Sequence, residues 1–207
     1  IGKMVIGIGK LLKYEKPNIV ILYGDTNSTL AGAISASKEK IPIAHIESGL
    51  RSFNLKMPEE INRILTDRAS SILFCPSKSA KKNLINEGYN LMKDKMIFNH
   101  GDVMLDLHNK FKNKFLTQNN FNDYFLVTIH REENTNVKIL NNIIKNLNKL
   151  SKNQKIVMPA HPRIKKYVKN KIKSKNIKII EPQSYIEFGK LIYNSKLVIT
   201  DSGGVQK

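Results

Sequence analysis

The chain has 207 residues, 41% of them hydrophobic and 25% charged, which suits a soluble protein with one large core or two small ones. Its longest apolar runs, such as Ile19 to Tyr23 and Ser71 to Cys75, fall far short of the roughly 20 residues that a membrane-spanning helix requires, and a lone cysteine, Cys75, excludes an internal disulfide and a cysteine-based zinc cluster. The formal net charge is +18. Lysine supplies most of it, because Arg51, Arg63, Arg68, Arg131 and Arg163 are the only arginines, and the lysines are interleaved with Asn and Ile. That pattern reads as solvated helix faces rather than a phosphate-binding stripe, so no nucleic-acid partner is expected.

Short β-branched runs alternate with amphipathic stretches, the pattern of βαβ units on parallel sheets. The opening IGKMVIGIGK lacks the charged, apolar, small-residue order of a signal peptide, which makes a cytoplasmic location the expectation. Met4 to Tyr14 reads as a helix, and Gly7 and Gly9 fall inside it. Strands are expected at Asn18 to Tyr23, Ile41 to Ile46, Ser71 to Cys75 and Lys95 to Asn99, then at Tyr124 to Ile129, Lys155 to Met158, Ile177 to Ile180 and Leu197 to Thr200. Asp102 to Leu116 is helical in pattern, whereas TQNNFND (Thr117 to Asp123) has neither periodicity nor apolar content and reads as a linker. The expected domains are therefore 1–117 and 118–207, two α/β units whose facing ends would form a ligand cleft. The chain opens in a helix without a preceding strand and stops at a strand-to-helix turn, so it reads as an internal fragment.

The chemistry-bearing residues gather at strand ends. Asp25 follows the strand NIVILYG and precedes a helix, where it is either a functional carboxylate or, with Thr26 or Asn27, a helix cap. In HIESGLRSFNLKMPEEINRILTD, Glu47 follows its strand directly, and Pro58 suits a first helical turn with Glu59 and Glu60 beside the positive helix end. Two readings stand there. Glu59 and Glu60 compensate the helix dipole with Arg51 as a surface partner, or two loops deliver a general acid and a general base to one cleft. His45 ends a strand and could be a satisfied near-core histidine.

In the second half, His130 ends a strand ahead of Arg131, Glu132, Glu133 and Asn134, and can contact a phosphate or exchange a proton. His161 also follows a strand, next to Arg163. In LVITDSGGVQ, Ser202, Gly203 and Gly204 form a strand-to-helix turn that lets an anion approach backbone N–H groups. His100 and His108 have no chemical company. No metal-ligand spacing and no nucleophile elbow appear.

Together, YGDTNSTLAG, IPIAHIESGLRSFNLKMPEEINRILTD, FCPSKSAKKNLINEG, GDVMLD, TIHREENT, HPR and VITDSGGVQK resemble, in order, the non-hydrolysing UDP-N-acetylglucosamine 2-epimerases. The resemblance implies an α/β fold of two Rossmann-like domains in a GT-B arrangement, both incomplete in this chain, with the nucleotide sugar between them and no cofactor. It implies Asp25, Glu47 and Glu59 as catalytic carboxylates and His130 as the group that assists UDP departure. Ser202, Gly203 and Gly204 would hold the diphosphate, Gln183 and Phe188 would surround the uracil, and Arg131 and His161 would lie near the substrate or effector pocket. From sequence alone Phe188 is a helix-packing residue. The partners implied are UDP-N-acetylglucosamine and UDP-N-acetylmannosamine, an allosteric UDP-N-acetylglucosamine, and a second copy in a homodimer. Ser48 stands where an alanine is commoner in the family, and Arg68 where a histidine is usual.

Competing expectations are a hydrolysing or modified-sugar UDP-sugar 2-epimerase, a glycosyltransferase of the same architecture, and a basic nucleic-acid-binding module. Because both sheets would lack strands, the 207 residues alone are expected to be inactive and poorly stable; measurable epimerisation by this chain contradicts that expectation.

Overall fold

The computed structural model describes residues 1–206, the side chains of Glu132 and Glu133 excepted. The chain folds as two compact units that divide between Leu105 and Asp106, so the TQNNFND segment lies inside the second.

The first unit runs α1 (Gly2–Glu15), β1 (Val20–Tyr23), α2 (Asn27–Lys38), β2 (Ile43–Ile46), α3 (Pro58–Ala69), β3 (Ile72–Cys75), α4 (Lys78–Asn86) and β4 (Met96–Asn99), and contains the start of α5 (Val103–Phe115). Its sheet has the order β1-β2-β3-β4 and is parallel throughout. Parallel register places every strand's carboxyl end on one edge, and the loops after β1 and β2 leave that edge side by side. Ala33, Ala36, Ile43 and Leu12 form one core cluster with Ile8 of α1, and Leu73, Cys75, Ala80 and Leu84 another beneath α4. Cys75 is therefore the core thiol expected, and burial pushes its ionisation upward.

The second unit continues with β5 (Tyr124–Thr128), α6 (Glu132–Thr135), α7 (Val137–Leu150), β6 (Lys155–Pro159), α8 (Pro162–Lys171), β7 (Ile177–Ile180), α9 (Tyr185–Tyr193), β8 (Leu197–Thr200) and α10 (Gly203–Gln206). In α7, Leu140, Ile144 and Leu147 fall on one face at helical spacing and bury against Val127, Ile156 and Met158. The sheet order is β7-β6-β5-β8. The chain thus steps outward from β5 to β7 and then returns to the other side of β5. Such a reversal opens a crevice at the carboxyl ends of the two strands flanking it, here β5 and β8.

Gly49 shows how tightly the loop after β2 is fitted. It has φ 77°, and a Cβ at this position would sit 2.4 Å from the Ala80 carbonyl oxygen. Gly49→Ala therefore combines backbone strain with overpacking and should cost about 2–4 kcal/mol in urea denaturation. A loss below about 0.5 kcal/mol would show that the loop yields at this point.

Candidate active site

At the first unit's carboxyl edge, β1 ends in Gly24 and Asp25, and β2 ends in Glu47. Thr26, not Asp25, caps α2: its hydroxyl accepts from the Thr29 amide. That releases Asp25, whose Oδ2 accepts from Arg63 Nε at 2.9 Å and Nη2 at 2.7 Å. Asn62 donates to the Asp25 carbonyl. Glu47 has φ 77°, a left-handed backbone that costs a non-glycine residue about 1–3 kcal/mol and collects at functional sites. Its carboxylate comes within 3.4 Å of where a Gly24 Cβ would stand, so it leans across the neighbouring strand end at Gly24. Glu59 is exposed in the first turn of α3; among the described residues no hydrogen bond or ion pair holds it.

Glu60 and Arg51 have other work than the dipole compensation and surface pairing that spacing suggested. The Glu60 side chain is 1% exposed. It accepts from the Ser52 and Phe53 amides at 2.9 Å each and from Arg63 Nη1 at 2.8 Å. Burial alone would push its pKa up; the two amides and the guanidinium outweigh that and hold it below the usual carboxylate range. Arg51, also 1% exposed, donates to Asp67 and forms a bidentate pair with Glu87. It supports the loop from inside.

In the second unit, the crevice between β5 and β8 holds the segments picked out by sequence. Thr128 and Thr200, register partners, share a 2.7 Å hydroxyl hydrogen bond. Just past them, the Asp201 carboxylate accepts from the amides of His130 (2.9 Å) and Arg131 (3.1 Å) and from Asn134 Nδ2 (2.8 Å). Burial raises the Asp201 pKa, but these donors outweigh it and leave the group below its ordinary value. His130 and Arg131 are exposed, and Gly203 and Gly204 present open backbone after Ser202. His161 caps α8, its Nδ1 accepting from the Arg163 amide at 3.3 Å. Gln183 is exposed and donates to the Glu181 carbonyl, while Phe188 packs against the cluster of Tyr124, Leu126 and Val157. Asp25, Glu47 and Glu59 thus share one edge, and His130, Ser202, Gly203 and Gly204 share another; Gln183, Phe188 and His161 stand on separate elements of the second unit. Among the described residues no group of three or more His, Cys, Asp or Glu side chains could hold a metal ion, and no helix is long and apolar enough to cross a membrane.

A family model described as UDP-N-acetylglucosamine 2-epimerase matches residues 1–207. The chain belongs to the UDP-N-acetylglucosamine 2-epimerase family. It is 45% identical to a UDP-N-acetylglucosamine 2-epimerase of Methanocaldococcus jannaschii, covering 100% of this chain and 61% of that protein. It is 46% identical to a UDP-2,3-diacetamido-2,3-dideoxy-D-glucuronate 2-epimerase of Pseudomonas aeruginosa, covering 100% of this chain and 59% of the relative. The crystal structure of Methanocaldococcus jannaschii UDP-GlcNAc 2-epimerase in complex with UDP-GlcNAc and UDP superposes with a TM-score of 0.87 at 44% identity, over 99% of this chain and 60% of that one. The chain therefore spans about 60% of the length of these relatives, and its α/β fold is the Rossmann-like, GT-B class expected from the motifs.

The strand-end clusters include residues that motif reading passed over: Arg63, Asp67 and Asp201. A signal existed for two of them. Glu60, Arg63 and Asp67 stand at i, i+3 and i+7 on α3, one face of a helix, and that face turns inward. Glu60 also yields a pH prediction. Because its folded pKa lies below the unfolded value near 4.3, its stabilisation is complete above that value and is lost as pH falls through the lower folded value. Glu60→Gln should cost about 2 kcal/mol near neutral pH and flatten the acid limb of a stability-against-pH curve; an unchanged acid limb would remove Glu60 from this role.

Proposed function

We propose that this chain is the core of a non-hydrolysing UDP-N-acetylglucosamine 2-epimerase, interconverting UDP-N-acetylglucosamine and UDP-N-acetylmannosamine and so supplying precursors for cell-surface polysaccharide. The observation that carries the reading is Glu47, a non-glycine residue held at φ 77° with its carboxylate against Gly24, next in the chain to Asp25. The carbon 2 proton of the sugar is weakly acidic, so its removal requires a positioned base, and inversion requires an acid on the opposite face. Glu47 at a strand end and Glu59 at a helix start, with Asp25, supply that set. As the proton leaves carbon 2, the carbon 1 to oxygen bond breaks and UDP departs with the electron pair, leaving a glycal. UDP oxygen then re-adds to carbon 1, and a proton reaches carbon 2 from the other side. His130 assists UDP departure, and Ser202, Gly203 and Gly204 offer backbone donors to the diphosphate. Gln183 and Phe188 flank the uracil; Arg131 and His161 line the substrate or effector pocket. The chemistry calls for no cofactor, and the assembly proposed is a homodimer.

The full reading frame containing this chain, incubated with UDP-N-acetylglucosamine in deuterated water, should yield both epimers with deuterium at carbon 2. Glu47→Gln and Glu59→Gln should each slow exchange by on the order of a hundredfold or more while leaving UDP affinity within about twofold. No exchange, or free sugar as sole product, contradicts the reading.

A second substrate has a specific observation in its favour: the identity to the diacetamido-glucuronate 2-epimerase, 46%, equals that to the simple-sugar enzyme within one per cent. Epimerisation at carbon 2 would use the same carboxylates. A kcat/KM at least about tenfold higher for one of the two UDP-sugars assigns the substrate.

A further inference from the structure

We propose that His45 is a buried imidazolium and that the His45–Asp67 pair positions the carboxylates Asp25 and Glu47, a role that rests on the epimerase reading above. Both side chains are fully buried, at 0% exposure. His45 Nε2 lies 2.8 Å from the Gly24 carbonyl oxygen, and Nδ1 lies 2.6 Å from Asp67 Oδ1. A carbonyl oxygen only accepts, so Nε2 carries a proton. Asp67 Oδ2 meanwhile accepts from the Gly49 amide at 3.1 Å and from Arg51 Nη1 at 2.8 Å, and the guanidinium so close favours a carboxylate there over a neutral acid that would donate Oδ1–H to Nδ1. Oδ1 is then an acceptor too, and Nδ1 carries the second proton. A neutral ring would set acceptor against acceptor at one of the two contacts.

Charge balance agrees. Arg51 is matched by Glu87 through two hydrogen bonds of 2.7 and 2.8 Å, which leaves Asp67 requiring a second cation in the interior. His45 stands against it. Of the other groups around Asp67, burial pushes the Cys75 thiol up and the Tyr89 phenol up to about 12, so both are neutral, and Lys95, a cation, pairs with Asp94 and donates to the Arg68 and Ser70 carbonyls rather than to Asp67. Arg68 lies over the Tyr89 ring.

The pair grips both halves of the site. The Gly24 carbonyl and the Asp25 nitrogen share one rigid peptide plane, so the ring that holds the carbonyl orients the start of the Asp25 turn. The other Asp67 oxygen holds the Gly49 amide, two residues beyond Glu47, and keeps the loop in the shape that imposes Glu47's backbone angle.

Histidine-selective nitrogen-15 NMR of the full reading frame at neutral pH should show two ring N–H groups on His45; a single ring N–H overturns the proposal. In Asp67→Asn the side-chain oxygen can keep the Gly49 and Arg51 donors while its amide donates to Nδ1, so the fold is retained and the Nδ1 proton is lost. That variant should lower kcat by on the order of a hundredfold, with KM and UDP affinity nearly unchanged. Retention of both ring protons, or a wild-type kcat, overturns the positioning role. If the wild-type protein shows both ring protons but no carbon 2 exchange, the imidazolium stands and the epimerase reading falls.

Discussion

Asp67 meets three polar groups at a point with no solvent: the His45 ring, the Gly49 amide and the Arg51 guanidinium, the last tied in turn to Glu87. Taking a carboxylate out of water is expensive, and it persists only where every lone pair is met. Those partners come from β2, from the loop after it and, through Glu87, from the end of α4. The cost of leaving Asp67 unpaired thus fixes where that loop runs. Glu60, about two turns earlier on the same face of α3, grips the Ser52 and Phe53 amides, and Arg63 between them takes Asp25. A single helix therefore templates an irregular segment whose own sequence, rich in Gly, Ser and Asn, has little conformational preference.

The second unit solves a similar problem with less burial. At the β5–β8 crevice, Asp201 accepts the amides of His130 and Arg131 from the adjacent strand end. Its carboxylate oxygens are met by backbone and Asn134 donors, next to the turn proposed to hold a diphosphate. In both units a carboxylate rooted beside one strand shapes the loop that follows its neighbour, which leaves the residues proposed for chemistry, Glu47, Glu59 and His130, to face outward from a stiff frame.

Much of this was legible beforehand. β-branched runs such as NIVILY and KLVIT mark the eight strands among the described residues because burial on a parallel sheet favours them, and Pro58 marks a helix start by local chemistry alone. Asp25 and Glu47 were placed at strand ends by counting from those runs. What spacing could not carry was direction. Glu60 and Asp67 look like solvent-facing charges on an amphipathic helix, and only the tertiary fold turns them inward. Arg51 stays open in the sequence between a surface partner, loop support and substrate contact for the same reason: its partners lie 16 and 36 residues away. Sheet order was likewise silent, so the β5–β8 reversal that gathers His130 with Ser202, Gly203 and Gly204 had no local signature.

The central claim is that α3 carboxylates hold an otherwise structureless loop rigid enough to present Glu47. Amide hydrogen exchange of Gly49, Ser52 and Phe53 measures this most directly, because each N–H is bonded only through the Asp67 or Glu60 side chain. Protection comparable to the flanking strands is expected, even at Phe53, a residue 79% exposed. Exchange at the rate of an unstructured peptide at these three positions would contradict it.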